Sequence, residues 1–243
     1  MKYLIITVAG TATRFNRDTK EETLKCLYYT DEPQYALLAQ LLKNCGEYDK
    51  YILVGGYLYE KLGRFVKNEL SGYGKKIELV YNEHFKDYGS GYSLYKGIEA
   101  IKEAGDVTFV EGDLFFMATD FRQVYNSPKS VITINREPIY SNKAVALYIN
   151  VDGKPRYLYD TNHQTLTVSE PFKAIFNSGQ MWKFSSSERL LKTVDSLTKE
   201  QLQGTNLQAY FSDMNSEEYD VVTFTDWFNC NTVADYDIVR KLM

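Results

Sequence analysis

Residues 3–16 read YLIITVAGTATRFN, an apolar run that breaks into a turn of small residues and closes on an arginine. The first part, YLIITV (3–8), has no polar/apolar alternation, the pattern of a strand buried on both faces. Such a strand belongs to a sheet covered by helices on either side. The turn after Val8 (Ala9, Gly10, Thr11, Ala12) is small enough to let backbone approach a ligand, and successive N–H groups in such a turn form an anion nest. Arg14 follows directly and can take a phosphate bidentately. Lys25, in TLKCL (23–27), can add a point charge. From residue types alone the alternative, a plain strand-to-helix turn with a solvated arginine, stays open.

Outward from this stretch, the first half alternates strand and helix. PQYALLAQLLKNCG (33–46) opens on Pro, carries apolar residues at helical spacing and stops at Gly, so a helix is expected over it. YILVGG (51–56), IELVYN (77–82) and DVTFVEGD (106–113) read as strands, and YEKLGRFVKNEL (59–70) and SLYKGIEAIKEAG (93–105) as helices. This rhythm implies a largely parallel, three-layer α/β sheet. In the second half SVITINR (130–136), AVALYINVDG (144–153), PRYLYD (155–160), KAIFNSGQMWKF (173–184) and YDVVTF (219–224) read as strands. SSERLLKTVDSL (186–197), with a Ser N-cap, and VADYDIVRKLM (233–243) read as helices. One α/β domain over 1–243 is expected, with a mixed, mainly parallel central sheet and a small subdomain inserted after the fourth strand. Open sheets of this kind bind ligands at the carboxyl ends of their strands, so the loops after residues 8, 82 and 113 are the places for a site.

Composition narrows the chemistry. A net charge of −4 over 243 residues argues against a nucleic-acid partner. The three cysteines, Cys26, Cys45 and Cys230, are far apart and form no C-x-x-C pair, which argues against structural zinc and disulfides and for a reducing, cytoplasmic home. The N-terminus lacks a cleavage site and no stretch approaches a membrane span, so neither a signal peptide nor a membrane partner is expected. Walker A and G-x-G-x-x-G patterns are absent, and GSGYSL (89–94) lacks the third Gly. His84 and His163 have no ligand partner at i+4 and are read as surface or supporting residues. Asp113 ends a buried strand, where a carboxylate is costly unless something positive meets it; capping of the following turn is the alternative. Glu111 is expected on the other side of the strand. For Asn231 the alternatives are a ligand role or the N-cap of the last helix, a place Thr232 could also fill.

The ordered set of motifs resembles the nucleotidyltransferases that activate sugars and phospho-alcohols. VAGTATRFNRDTKEETLKCL (8–27) is similar to their opening signature, with Val8, Ala12 and Leu24 where the pattern has Ala, Gly and Pro. YNEHFKDYGSGYSLYKGI (81–98), FVEGDLFF (109–116), FNSGQMWKF (176–184) and FNCNTVADY (228–236) resemble four further segments in order. The resemblance implies a Rossmann-like nucleotidyltransferase fold with a nucleotide-binding half (1–125) and an acceptor-binding half (126–243). It implies that Val8, Ala9, Gly10, Thr11, Ala12, Arg14, Lys25, Asn82, Gly89, Ser90, Gly91 and Asp113 bind nucleotide. It makes Lys25, Arg14 and Asp113 catalytic, with Mg²⁺ on Asp113 and Asn231. Arg136 and Asn177 are the expected acceptor contacts, with Arg156 and Lys183 as weaker ones.

Within the family, FKDYGSGYSLYKGI (85–98) and EGDLFF (111–116) look most like the small bacterial cytidylyltransferases of surface decoration. That implies transfer of CMP from CTP to a small phosphorylated acceptor. The best match is L-glutamine phosphate, giving CDP-L-glutamine for capsule phosphoramidate synthesis. Phosphocholine, or a sugar 1-phosphate with another nucleotide, is the alternative. Oligomeric state is not legible in the residues.

Overall fold

In the computed structural model, which describes residues 1–140, 145–159, 164–204, 208–211 and 214–243, the opening apolar run forms β1 (Lys2–Thr7). After it come α1 (Thr13–Asn16), α2 (Leu37–Cys45), β2 (Lys50–Gly55), α3 (Tyr59–Glu69), β3 (Ile77–Tyr81), α4 (Ser90–Glu99), β4 (Asp106–Glu111), β5 (Leu114–Phe116), α5 (Ala118–Asn126) and β6 (Ser130–Asn135). The second half adds β7 (Ala146–Asn150), β8 (Pro155–Leu158), β9 (Phe172–Phe184), α6 (Ser187–Ser196), α7 (Lys199–Gln203), β10 (Tyr219–Phe224), β11 (Trp227–Asn229) and α8 (Val233–Arg240). His163 lies outside the described residues.

The main sheet runs β10-β6-β9-β4-β1-β2-β3, with β7 on β9 and β8 on β7. β1 pairs in parallel with both β2 and β4, and β3 extends that parallel half. The long β9 runs antiparallel to β4, β6 and β7, so it joins the parallel half to the second-half strands. The sheet is therefore mixed, and mainly parallel across β4, β1, β2 and β3, as expected. β1 shows why it needs two helical layers. Leu4 and Ile6 enter one core with Leu41 and Leu53, while Tyr3 and Ile5 enter the opposite one with Ile98 and Trp182. A third, small core (Phe15, Leu37, Phe115, Cys230, Tyr236, Val239) packs α1, β5 and α8 together.

Several boundaries differ from the sequence expectation. The helix expected from Pro33 begins with one 3₁₀ turn (Pro33–Tyr35), and α2 proper starts at Leu37 because Ala36 is extended. The helix expected over 93–105 starts earlier, at Ser90, and ends at Glu99. Beyond it, Gly105 lies hard against the Met1 backbone: a Cβ there would sit 2.1 Å from the Met1 carbonyl oxygen. Two helices, α5 and α7, lie where no element was expected. α7 carries a legible signal, the Thr198/Gln201 capping box in TKEQ.

Candidate active site

A cavity of about 970 Å³ opens at the carboxyl ends of β1, β3 and β4, on the loops after residues 8, 82 and 113. Val8, Ala9, Gly10, Ala12 and Arg14 line it; Thr11 does not. The loop is held from behind. Val8 N–H donates to the Val54 carbonyl (2.8 Å), Tyr57 N–H to that of Ala9 (3.1 Å) and the Asn16 amide to that of Thr11 (3.2 Å). Ala12 sits at φ 51°, ψ 38°, the left-handed conformation that the related pattern reserves for Gly. The substitution thus keeps the turn at a cost in strain. A Cβ on Gly10 would meet nothing within 4 Å, so the loop faces open space there.

Across the cavity, Lys25 Nζ donates to Asp113 Oδ2 (2.6 Å) and to Asn231 Oδ1 (3.4 Å). Arg14 Nη2 donates to the same Asn231 oxygen at 2.9 Å. Four residues from three distant parts of the chain therefore converge. Gly112 lets this happen, since a Cβ on it would lie 2.2 Å from Val8 Cγ1. β5 and β11 form a separate two-stranded sheet, and Cys230 N–H donates to the Asp113 carbonyl (2.8 Å), bringing Asn231 beside Asp113. The capping alternative for Asn231 is settled by Thr232, which makes a reciprocal capping box with Asp235 and leaves the Asn231 side chain to the cavity.

Asp113 Oδ1 is buried and finds no hydrogen-bond partner. With Asn231 Oδ1 it offers two hard oxygens, the donor type that could hold Mg²⁺. Among the described residues no group of three His, Cys, Asp or Glu side chains could hold a metal alone, so a site here would be completed by the ligand. Glu111, expected on the far side, lines the cavity as well: it is the last residue of β4, and the chain turns at Gly112–Asp113 directly after it. Burial, and then the Asp113 charge, push its carboxyl up to about 8. Burial also raises the Cys26 and Cys230 thiols to about 12, so neither is a nucleophile near neutral pH.

Asn82, Gly89 and Ser90 line the cavity, while Gly91 packs away from it, with no room for a Cβ beside the Gly204 carbonyl (2.8 Å). The buried Asn82 amide is largely committed to structure, donating to Ser93 Oγ and accepting from His84 N–H, both at 2.8 Å. It folds the 82–89 loop so that Phe85 and Tyr88 reach the cavity, residues that the motif reading passed over. His84 stacks on Tyr88 with ring centroids 4.1 Å apart, a supporting role as expected.

On the opposite wall, Asn177 lines the cavity. Its Nδ2 donates to the Pro138 carbonyl (3.2 Å), which fixes the amide's orientation and leaves Oδ1 buried without a partner. The other expected acceptor contacts lie elsewhere. Arg136 is exposed and outside the lining. Arg156 pairs with Glu170 (3.1 Å). Lys183 is buried on Ser127 O (2.6 Å) and Asp106 (3.1 Å), at the end of β9 away from the cavity. Strand-end position alone does not say which end of an antiparallel strand faces the site. Glu137, Tyr157 and Trp227, not expected, join Gln180 in the lining.

The fold is one shared with nucleotidyltransferases of known structure. A choline-phosphate cytidylyltransferase of Streptococcus pneumoniae (strain ATCC BAA-255 / R6) is 25% identical over 240 residues, covering 97% of this chain and 93% of that one. Among solved structures, the inositol-1-phosphate CTP transferase of T. maritima superposes with a TM-score of 0.68 at 14% identity, covering 100% of this chain and 96% of that one. The S. pneumoniae CTP:phosphocholine cytidylyltransferase (LicC) superposes with a TM-score of 0.64 at 18% identity, covering 99% and 98%. The chain belongs to the family described as "Domain of unknown function (DUF6564)", whose model matches residues 21–243. That match takes in Lys25, Asp113 and Asn231 and begins after Arg14.

Two outcomes are expected from this geometry. Ala12→Gly should raise stability by about 0.5–1 kcal/mol in denaturant melts, since relief of left-handed strain outweighs the added freedom of the unfolded chain. Glu111 binds a proton more tightly folded than unfolded, so its contribution is full below the ordinary carboxylate range and is lost as pH rises toward about 8. Without divalent metal, stability should therefore decline between pH 5 and 8, and Glu111→Gln should flatten that decline.

Proposed function

We propose that this chain transfers CMP from CTP to a small phosphorylated acceptor, with Mg²⁺ as its metal and L-glutamine phosphate as the acceptor of first choice. The observation that carries the reading is Lys25 held between Asp113 Oδ2 and Asn231 Oδ1, with Arg14 on the same Asn231 oxygen, at the mouth of a small-residue turn. Two cations and a set of loop N–H groups suit a triphosphate, and two hard oxygens suit its metal. The choice of cytidine rests on relatives whose names specify CTP or choline phosphate.

In this reading an acceptor phosphate oxygen attacks the α-phosphorus of CTP, the bond to the bridging β-phosphate oxygen breaks, and pyrophosphate leaves. Protein groups do little covalent work, so positioning and charge neutralisation carry the rate. Lys25 steadies the α-phosphate and the incoming phosphate; Arg14 and the loop hold the leaving end. Asp113 and Asn231 would hold Mg²⁺, which when bound neutralises charge on the triphosphate oxygens. The unpartnered Asn177 oxygen favours an acceptor whose organic part bears an N–H or O–H donor, as that of glutamine phosphate does and that of phosphocholine does not. Phosphocholine is the second reading, favoured by Tyr140, Tyr157, Tyr159 and Trp227 around the cavity, groups able to surround a quaternary ammonium. Among the described residues no helix is long and apolar enough to cross a membrane, and three buried free cysteines suit a cytoplasmic enzyme of capsule phosphoramidate synthesis.

The test is pyrophosphate release with Mg²⁺ across CTP, UTP, GTP, ATP and dTTP, with L-glutamine phosphate, phosphocholine and glucose 1-phosphate as acceptors. Release with CTP and glutamine phosphate is expected. Release only with phosphocholine changes the acceptor, and release only with another nucleotide and glucose 1-phosphate overturns the choice of base. With the productive pair, Lys25→Ala should lower turnover about 100- to 1,000-fold while circular dichroism stays that of the parent.

A further inference from the structure

The wall opposite Lys25 contains a distortion that the proposed chemistry does not use. Between the pairs Ile132–Trp182 and Ile134–Ser178, β6 advances two residues while β9 advances four, so β9 bulges at Gly179–Gln180. The bulge is closed by Thr133, whose hydroxyl bonds the Met181 carbonyl and accepts from Met181 N–H, and a Cβ on Gly179 would lie 2.4 Å from that hydroxyl oxygen. Gln180 is left at φ 55°, a conformation costly for any residue with a Cβ, yet buried in the cavity wall. Bulges beside sites re-aim side chains. This one aims at β11 twice: the Gly179 carbonyl accepts from Trp227 Nε1 (2.9 Å), and Gln180 Oε1 accepts from Asn229 Nδ2 (3.3 Å).

From Asn229 the bonds continue with one polarity. Asn229 Oδ1 accepts from Asn231 Nδ2 (2.8 Å), so Asn231 Oδ1 must face the other way, toward Arg14 and Lys25. A carboxylate in place of Asn231 would present oxygen in either orientation. A carboxamide presents a cation with either an acceptor or an N–H donor, and the latter repels it. We infer that Asn229, held by the bulge residue Gln180, is a positioning residue that fixes the Asn231 side chain with its oxygen toward Lys25, Arg14 and the metal of Asp113. Asn229 and Asn231 are two apart and share a face, while Cys230 between them is buried in the small core. The part concerning the metal rests on the cytidylyltransferase reading.

The experiment uses the whole chain with two readouts. The first is the side-chain ¹H–¹⁵N resonance of Asn231, assigned by its loss in Asn231→Asp. Asn229→Ala should shift it and speed its exchange with water, whereas Asn229→Asp, which still accepts from Nδ2, should leave it protected. An unchanged resonance in Asn229→Ala overturns the relay whatever the enzyme catalyses. The second is Mn²⁺ affinity in the presence of CTP, read by water-proton relaxation. Asn229→Ala should weaken it about tenfold, and the same change made in Asn231→Asp should have little effect, because a carboxylate needs no orienting. Equal losses in both backgrounds would mean a general packing role and overturn the inference. Gln180→Gly should weaken Mn²⁺ binding without lowering Tm, since it relieves the φ strain while deleting the carboxamide; a fall in both would overturn the part given to Gln180. A parent protein that binds no Mn²⁺ with CTP would count against the cytidylyltransferase reading, and the resonance would still decide the relay.

Discussion

A carboxylate at the end of a buried strand is the constraint around which the rest is arranged. Asp113 leaves the sheet where β4 gives way to β5, with one oxygen on Lys25 and the other buried and unpartnered. Charge in that setting has to be met by positive partners. Lys25 meets it from a 3₁₀ turn anchored by buried Leu24 and Cys26; Arg14 comes from the short helix after the glycine turn; Asn231 comes from the far end of the chain. The approach of β1 to β4 that makes this possible depends on Gly112 having no side chain. Geometry at the cavity mouth is thus set as much by what residues lack as by what they carry.

The described non-glycine residues with positive φ are Ala12, Leu58 and Gln180, and two of the three line the cavity. Strain of this kind persists only where the surroundings over-determine it. At Ala12 the backing bonds of the small-residue turn do so. At Gln180 it is the Thr133 plug and the bonds to β11. The two strained turns face each other across Asn231, one through Arg14 and the other through Asn229.

Much of this was legible beforehand because it depends on local chemistry. The unbroken apolar run of β1, the small-residue turn, Arg14, Lys25 and the Gly-Asp at a strand end all announce themselves in a few residues. Asn231 was legible as one of two roles, and only the Thr232–Asp235 capping box separates them. The wall opposite Lys25 was not legible. Arg136, Arg156 and Lys183 were chosen for charge near strand ends, yet an antiparallel strand such as β9 sends one end to the cavity and the other away. Glu111 was misplaced because strand alternation was carried past the end of β4, into the turn at Gly112–Asp113. The conformation of Gln180 carries no sequence signal, because it follows from a register shift between two strands about fifty residues apart.

The small β5–β11 sheet has a further consequence. It is separate from the main sheet, and its pairing joins segments more than a hundred residues apart. Contacts of such long sequence separation are entropically late to form. An intermediate that has assembled the parallel strands would already possess the turn, Arg14 and Lys25, and so could attract phosphate. It would lack Asn231 until β11 docks. On the proposed reading, anion affinity and metal affinity should therefore arise at different stages of folding, the first with the large sheet and the second with the small one.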